Sequence, residues 1–165
     1  MSESIEVSEA ETVTVGFIGQ PGARVFYLQV WTGGRIHSLK LEKQHVAALA
    51  EAITELLADV AVEGTPHLPD ILDPGVPDWI VGSMGLTSFD ELTGRALLVC
   101  NELVAEEDAE DAARATIGMT PPQLAALAAR CVESLAGGRP NCELCGRPKD
   151  PQGHVCPKTN GSSKH

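Results

Sequence analysis

The chain has 165 residues, of which 43% are hydrophobic, a net charge of −11 and five cysteines. This hydrophobic fraction excludes a disordered chain, and the absence of an apolar run of about 20 residues excludes a membrane-spanning helix. An odd cysteine count and an acidic start without a signal-peptide pattern argue against a disulfide framework. We therefore expect a cytoplasmic protein with no membrane insertion, built as one domain or as two small halves sharing a core.

The N-terminal part of the chain predicts a short tail followed by three strands and a helix. Residues 1–10 are expected to be disordered, and residues 11–63 to form a first βββα half. Strand-like runs rich in β-branched and aromatic residues are separated by glycine-containing turns. The three predicted strands are residues 11–18, 24–31 and 35–41. Apolar residues then recur every three or four positions from Val46 to Val60, which predicts an amphipathic helix.

Residues 64–77 contain four prolines and are predicted to connect two halves of the chain. Acidic and histidine side chains in and beside this connection suggest a metal site as one interpretation. These side chains are Glu63, His67, Asp70, Asp73 and Asp78. The proline content favours the other interpretation, an irregular connection on the surface.

Residues 78–138 repeat the same order and form the second predicted βββα half. Its predicted strands are residues 79–86, 95–103 and 112–119, with an acidic loop at residues 106–111. Thr120 is placed to cap the second helix, with Pro121 at its first position and Gln123 completing a capping box. The helix is expected to end at Gly137-Gly138.

A short internal repeat links the two halves. The sequence Val46-Ala47-Ala48-Leu49-Ala50 matches Leu124-Ala125-Ala126-Leu127-Ala128, 78 residues later. The predicted fold class is therefore α+β, a duplicated βββα unit with one or more antiparallel sheets and two packed helices. The helices are expected to pack against one joined sheet or two facing sheets, around a pseudo-twofold axis. A small C-terminal zinc knuckle completes the predicted architecture.

That knuckle is predicted within residues 139–165, together with a basic tail. Cys142, Cys145, His154 and Cys156 have the spacing C-x2-C-x8-H-x-C. The turn after Cys-x-x-Cys points both sulfurs at one centre, and two residues spaced by one on an extended segment share a side. These four ligands suit one closed, tetrahedral, structural zinc.

Other interpretations of the same cysteines remain open at this point. A thioredoxin-like redox pair would open a helix inside a βαβ pattern, which this sequence lacks. A catalytic zinc would keep a position open to water, whereas four protein ligands fill it. An iron–sulfur cluster is disfavoured by the histidine, and an unmetallated segment is the remaining alternative. Cys100 and Cys131 lie in apolar surroundings and are predicted to be buried core thiols.

Three stretches carry a family resemblance: Gly19-Gln20-Pro21-Gly22, Phe26-Tyr27-Leu28-Gln29 and, above all, the cysteine-containing stretch 138–161. In these stretches the chain resembles the domain of unknown function 3090 family of actinobacteria. It implies an actinobacterial cytoplasmic protein of a family without an established activity. It also implies a candidate protein partner, because family genes neighbour those of a phosphoinositide-kinase-like and a histidine-phosphatase-like protein.

Three functions are compatible with these features, and the oligomeric state is left open. The leading hypothesis is a non-enzymatic zinc-binding adaptor, with a sheet face or the cleft between the halves as its binding surface. A nucleic-acid-binding protein is the second, opposed by a charge of −14 on residues 1–136 and few aromatic residues. An enzyme with a small-molecule site between the halves is the third. His37, His45, Glu42 and Glu102 are candidate acid–base groups, although satisfied histidines and solvated carboxylates are the simpler interpretation.

Overall fold

The computed structural model describes residues 2–136, and Met1 and residues 137–165 lie outside the described part. The fold is α+β, with a seven-stranded mixed sheet and two helices packed against each other. The strands are β1 (Ile5–Val7), β2 (Thr12–Ile18), β3 (Val25–Thr32), β4 (Arg35–Leu41), β5 (Trp79–Leu86), β6 (Ala96–Glu102) and β7 (Arg114–Met119). The helices are α1 (Lys43–Leu56) and α2 (Pro121–Ala136). A 3-10 helix, Glu106–Asp111, stands where the sequence predicted a loop.

The strand order is β1-β7-β6-β5-β4-β3-β2, so both predicted halves belong to one joined sheet. Strands β2 to β4 are antiparallel, as are β5 to β7, but β4 pairs with β5 in parallel and β1 pairs with β7 in parallel. The expectation of purely antiparallel sheets is therefore wrong. The third strand of the first half, β4, lies parallel to the first strand of the second half, β5.

The N-terminal residues correct a second expectation. Ile5 and Val7 of β1 are buried against β7, although residues 1–10 were predicted to be disordered. Between β1 and β2, two consecutive residues donate backbone hydrogen bonds to two different strands, β7 and β3. The Ala10 N–H donates to the Gly118 carbonyl at 3.3 Å, and the Glu11 N–H donates to the Trp31 carbonyl at 3.2 Å. These bonds bring the two ends of the sheet together.

One face of the sheet, here called the inner face, packs against both helices. Val15, Leu28 and Leu39 lie across β2, β3 and β4 in register on this face, and all three are fully buried. The helices contribute their apolar stripes to the same core. These helix residues include Val46, Leu49 and Ile53 of α1, and Leu124, Leu127 and Cys131 of α2.

Two local predictions are confirmed. The Thr120 N–H donates to Gln123 Oε1 at 2.9 Å, and the Gln123 N–H donates to Thr120 Oγ1 at 3.4 Å, which is the predicted capping box. Cys100 and Cys131 are completely buried, and burial raises the pKa of each thiol to about 12. Both are therefore protonated core side chains with the packing role of a small hydrophobe.

Candidate protein-interaction groove

The Pro-rich connection (residues 64–77) crosses the outer face of β2, β3 and β4, opposite the helices. Thr14 of β2 donates its hydroxyl to the Pro69 carbonyl at 3.1 Å. Gln29 of β3 is hydrogen-bonded to Leu72, and Asp78, directly after the connection, accepts a hydrogen bond from the Ser38 N–H of β4 at 2.7 Å. The connection has no helix or strand of its own, as predicted, yet it is hydrogen-bonded to the outer face of the sheet at Thr14 and Gln29.

Gln29 is the central contact of this crossing. Its amide Nε2 donates to the Leu72 carbonyl at 2.6 Å and to Ser38 Oγ at 3.1 Å, and its Oε1 accepts the Leu72 N–H at 3.0 Å. The side chain is 1% exposed. Gln29 therefore pairs with both backbone groups of Leu72, as a neighbouring strand would.

Arg130 of α2 binds the connection from the other side. Its guanidinium donates to the carbonyls of Leu68 and Pro69, at 2.7 and 3.1 Å. Two carboxylates also contact it, Glu133 at 3.1 Å and Asp70 at 3.7 Å. Because charged donors make strong hydrogen bonds to carbonyls, Arg130 fixes the point where the connection passes the edge of the sheet.

These contacts leave a groove along β2, the last strand of the sheet. The groove has a volume of about 440 Å³ and runs between the connection and the second half of α2. Three consecutive residues of β2, Val15 to Phe17, line it, with Asp70 and Ile71 on one wall and Arg130, Glu133 and Ser134 on the other. It is therefore a cleft between the first half, the connection and the second half.

Arg24 closes the end of the groove near the C-terminus of α2. Its Nη1 donates to the Ser134 carbonyl at 2.6 Å, and its guanidinium carbon lies 4.2 Å from the centre of the Phe17 ring. Its Nη2 is buried and finds no acceptor among residues 2–136. A cation at the C-terminal end of a helix is favoured by the helix dipole, so this contact stabilises the last turn.

Two acidic side chains stand at the rim of the groove beside Arg130. Arg130 is 20% exposed, and its donors are already directed at two carbonyls and two carboxylates. The carboxylates of Asp70 and Glu133 are 102% and 72% exposed at the rim. A ligand approaching the groove therefore meets the exposed carboxylates of Asp70 and Glu133, each paired with Arg130, on residues 1–136 whose net charge is −14.

Comparison with known proteins identifies the family. A model described as protein of unknown function (DUF3090) matches residues 6–156. The chain belongs to this family. No curated protein and no solved structure matches it.

The predicted zinc ligands of this DUF3090 chain, Cys142, Cys145, His154 and Cys156, lie outside the described residues. Among residues 2–136, no group of three or more histidine, cysteine or acidic side chains is arranged to hold a metal. The acidic and histidine residues of the connection are among these described residues and form no such group. Nor does any helix in the described part of the chain have the length and apolarity to cross a membrane.

His45, one of the candidate acid–base groups, has a structural role in the DUF3090 fold. Its Nδ1 accepts the Glu42 N–H at 3.1 Å, so the proton lies on Nε2, which faces the Gly82 carbonyl at 3.3 Å. Both ring nitrogens are therefore engaged with backbone, which confirms the interpretation as a satisfied histidine. His37 differs, because its buried Nδ1 has no partner among the described residues.

Glu102, at the end of β6, is a carboxylate with specific partners. The Ser2 hydroxyl and the Ala113 N–H both donate to it, and these hydrogen bonds lower its pKa below the ordinary 4.5. A lowered pKa in the folded state stabilises the fold above pH 4.5, and this contribution is lost as the pH falls through the lowered value.

We therefore expect the stability of Glu102→Gln to fall less than that of the wild type between pH 5 and pH 2. Urea unfolding at a series of pH values measures the difference. Glu110→Gln, on the exposed 3-10 helix, removes the same charge and is expected to follow the wild type. A Glu102→Gln profile parallel to the wild type would contradict the assignment.

Proposed function

We propose that the DUF3090 chain is a cytoplasmic, zinc-binding adaptor that binds a protein partner and catalyses no reaction. The observation that carries this proposal is the groove along β2, formed by a terminal strand of the sheet and two walls held by Arg130. Strands at the end of a sheet add an extended segment of another chain through backbone hydrogen bonds, while walls beside the strand select side chains.

The size and charge of the groove support an extended segment as ligand. Val15 is fully buried, whereas Gly16 and Phe17 are partly exposed, so the accessible part of β2 in the groove matches a short stretch of extended chain at about 3.3 Å per residue. The exposed carboxylates of Asp70 and Glu133 favour a segment with lysine or arginine. The same acidic surface opposes binding of nucleic acid, which supports a protein partner.

We propose further that Cys142, Cys145, His154 and Cys156 bind one structural zinc. The support is the type and spacing of the four ligands. Such a short segment buries little apolar surface, so the metal would supply most of its folding energy. The repeated order of three strands and a helix, with matching apolar positions in α1 and α2, likewise supports the proposal of an internal duplication.

If zinc is bound in this way, protein purified without chelator is expected to contain about one zinc per chain by elemental analysis. Cys145→Ser is expected to lower this content strongly, while the melting temperature of the body stays within a few degrees of the wild type. Cys100→Ala is the matched control, since it removes a cysteine from the core and is expected to keep the metal. Well under one zinc per wild-type chain would refute the site.

Affinity capture from a lysate of the source organism tests the adaptor function. Three forms are compared: the wild type, Asp70→Lys with Glu133→Lys at the rim, and Glu110→Lys with Asp111→Lys on the distant 3-10 helix. We expect a partner retained by the wild type and by the control pair, and lost with the rim pair. Equal retention by all three forms, or no retained protein, would reject the groove as the binding site.

A further inference from the structure

We propose that the basic C-terminal segment of this chain, residues 137–165, is itself a ligand of the groove along β2. The inference rests on the proposed function, because it concerns the same groove and names an occupant that an outside partner would have to displace.

The position of α2 is the first support. Ala136, the last described residue, follows Ser134 by two positions, and Ser134 lines the groove. Helix α2 begins beside the start of β2, where Gln123 Nε2 donates to the Ala10 carbonyl at 2.7 Å. It ends beside Phe17 and Arg24. The chain thus leaves α2 at the end of the groove, and Gly137-Gly138 offers the backbone freedom for a reversal along β2.

The second support is charge. Residues 137–165 carry five lysine and arginine residues against two acidic ones, a net of +3 beside a body of −14. The exposed carboxylates at the mouth of the groove, Asp70 and Glu133, lie within a few residues' reach of this segment. A tethered ligand has a high effective concentration, so modest contacts are sufficient for occupancy.

The third support is the buried donor on Arg24. Its Nη2 finds no acceptor among residues 2–136, although buried donors are rarely left unpaired. The Nη1 of the same guanidinium bonds to Ser134, so Nη2 lies near the point of chain exit. A carbonyl oxygen of the C-terminal segment entering the groove would satisfy it.

Zero-length carbodiimide cross-linking of the full-length protein, read by peptide mass spectrometry, tests the proposal without any partner. We expect Asp70 and Glu133 to link to Lys149, Lys158 or Lys164 at least about ten times more often than Glu110 and Asp111 do. A mixture of isotopically light and heavy protein separates links within one chain from links between copies. Links spread evenly over all four carboxylates, or links mainly between copies, would overturn the docking.

Hydrogen exchange gives an independent readout on the same protein. The rim pair Asp70→Lys with Glu133→Lys is expected to accelerate exchange in residues 12–18 by about tenfold, leaving residues 96–102 unchanged. Acceleration of both segments, as in a merely destabilised variant, would overturn the proposal, as would no change in either. Since capture from a lysate reports on the outside partner and cross-linking on the C-terminal segment, failure of one proposal is distinguishable from failure of the other.

Discussion

Gln29→Leu is expected to lower the free energy of unfolding by about 2 kcal/mol, although leucine fills nearly the same volume. The substitution removes every hydrogen-bonding partner that Gln29 provides to the N–H and carbonyl of Leu72 and to the Ser38 hydroxyl. Leaving part-buried polar groups unpaired costs about 1–3 kcal/mol each, and partial release of the connection to water limits the total. Urea denaturation monitored by circular dichroism measures the change.

Asn101→Leu is the matched control on the uncovered half of the same sheet. Asn101 also bridges neighbouring strands through its amide, donating to Ser83 Oγ at 3.1 Å and accepting from Arg114 Nε at 3.0 Å. These partners are exposed, so water replaces the amide and the change is expected to stay within about 0.5 kcal/mol. Equal effects of the two substitutions would show that the connection does not depend on Gln29.

The contrast between these two amides shows what sequence reasoning could reach. Alternation and helical spacing predicted six strands and both helices, because those patterns are local and follow from which face of each element is buried. In the sequence pattern, Gln29 is an ordinary polar residue of a predicted strand. Its function depends on Leu72, 43 positions away, and nothing in the strand's own pattern distinguishes an outer face covered by a connection from one open to water.

Strand β1 and the strand order were missed for a related reason. Ile5-Glu6-Val7 is too short to show a period, and its burial comes from parallel pairing with β7, more than 100 residues away. The internal repeat predicted the correct order of elements along the chain but did not predict which strands are parallel. The long connection allows β5 to lie parallel to β4, so strands β2–β4 and strands β5–β7 lie side by side in one sheet.

The groove was foreseen only as an unspecified cleft between the halves. Its lining comes from β2, the connection and α2. In the sequence, Arg130 looks like an ordinary charged residue of the second helix. One signal was available. Arg130 interrupts the apolar pattern of α2, and residues 64–77 are rich in prolines, which have no N–H group to pair with nearby carbonyls. Such an arginine is a candidate for binding these carbonyls.

Gly118→Ala is expected to destabilise the protein by about 3 kcal/mol, the largest effect predicted here. A Cβ at this position in β7 would collide with the backbone carbonyl of Ser8, lying only 2.8 Å from its carbon atom. The carbonyl of Gly118 also accepts the Ala10 N–H that joins the two ends of the sheet. The methyl group would displace β1 and expose Ile5 and Val7, whose burial contributes about 1.5–3 kcal/mol each.

Gly85→Ala in β5 is the control that isolates the collision. Neither glycine has a positive φ, and a Cβ at Gly85 would meet nothing within 4 Å. Alanine there is expected to be neutral or to stabilise the strand by up to about 1 kcal/mol, because it reduces the freedom of the unfolded chain. Gly118→Ala is thus expected to lower the thermal midpoint by roughly 10 °C, whereas Gly85→Ala is expected to leave it unchanged or to raise it. If Gly118→Ala melts with the wild type, the crossing of Ser8 over β7 is not a fixed part of the fold, and the two ends of the sheet are not held together by the N-terminal segment.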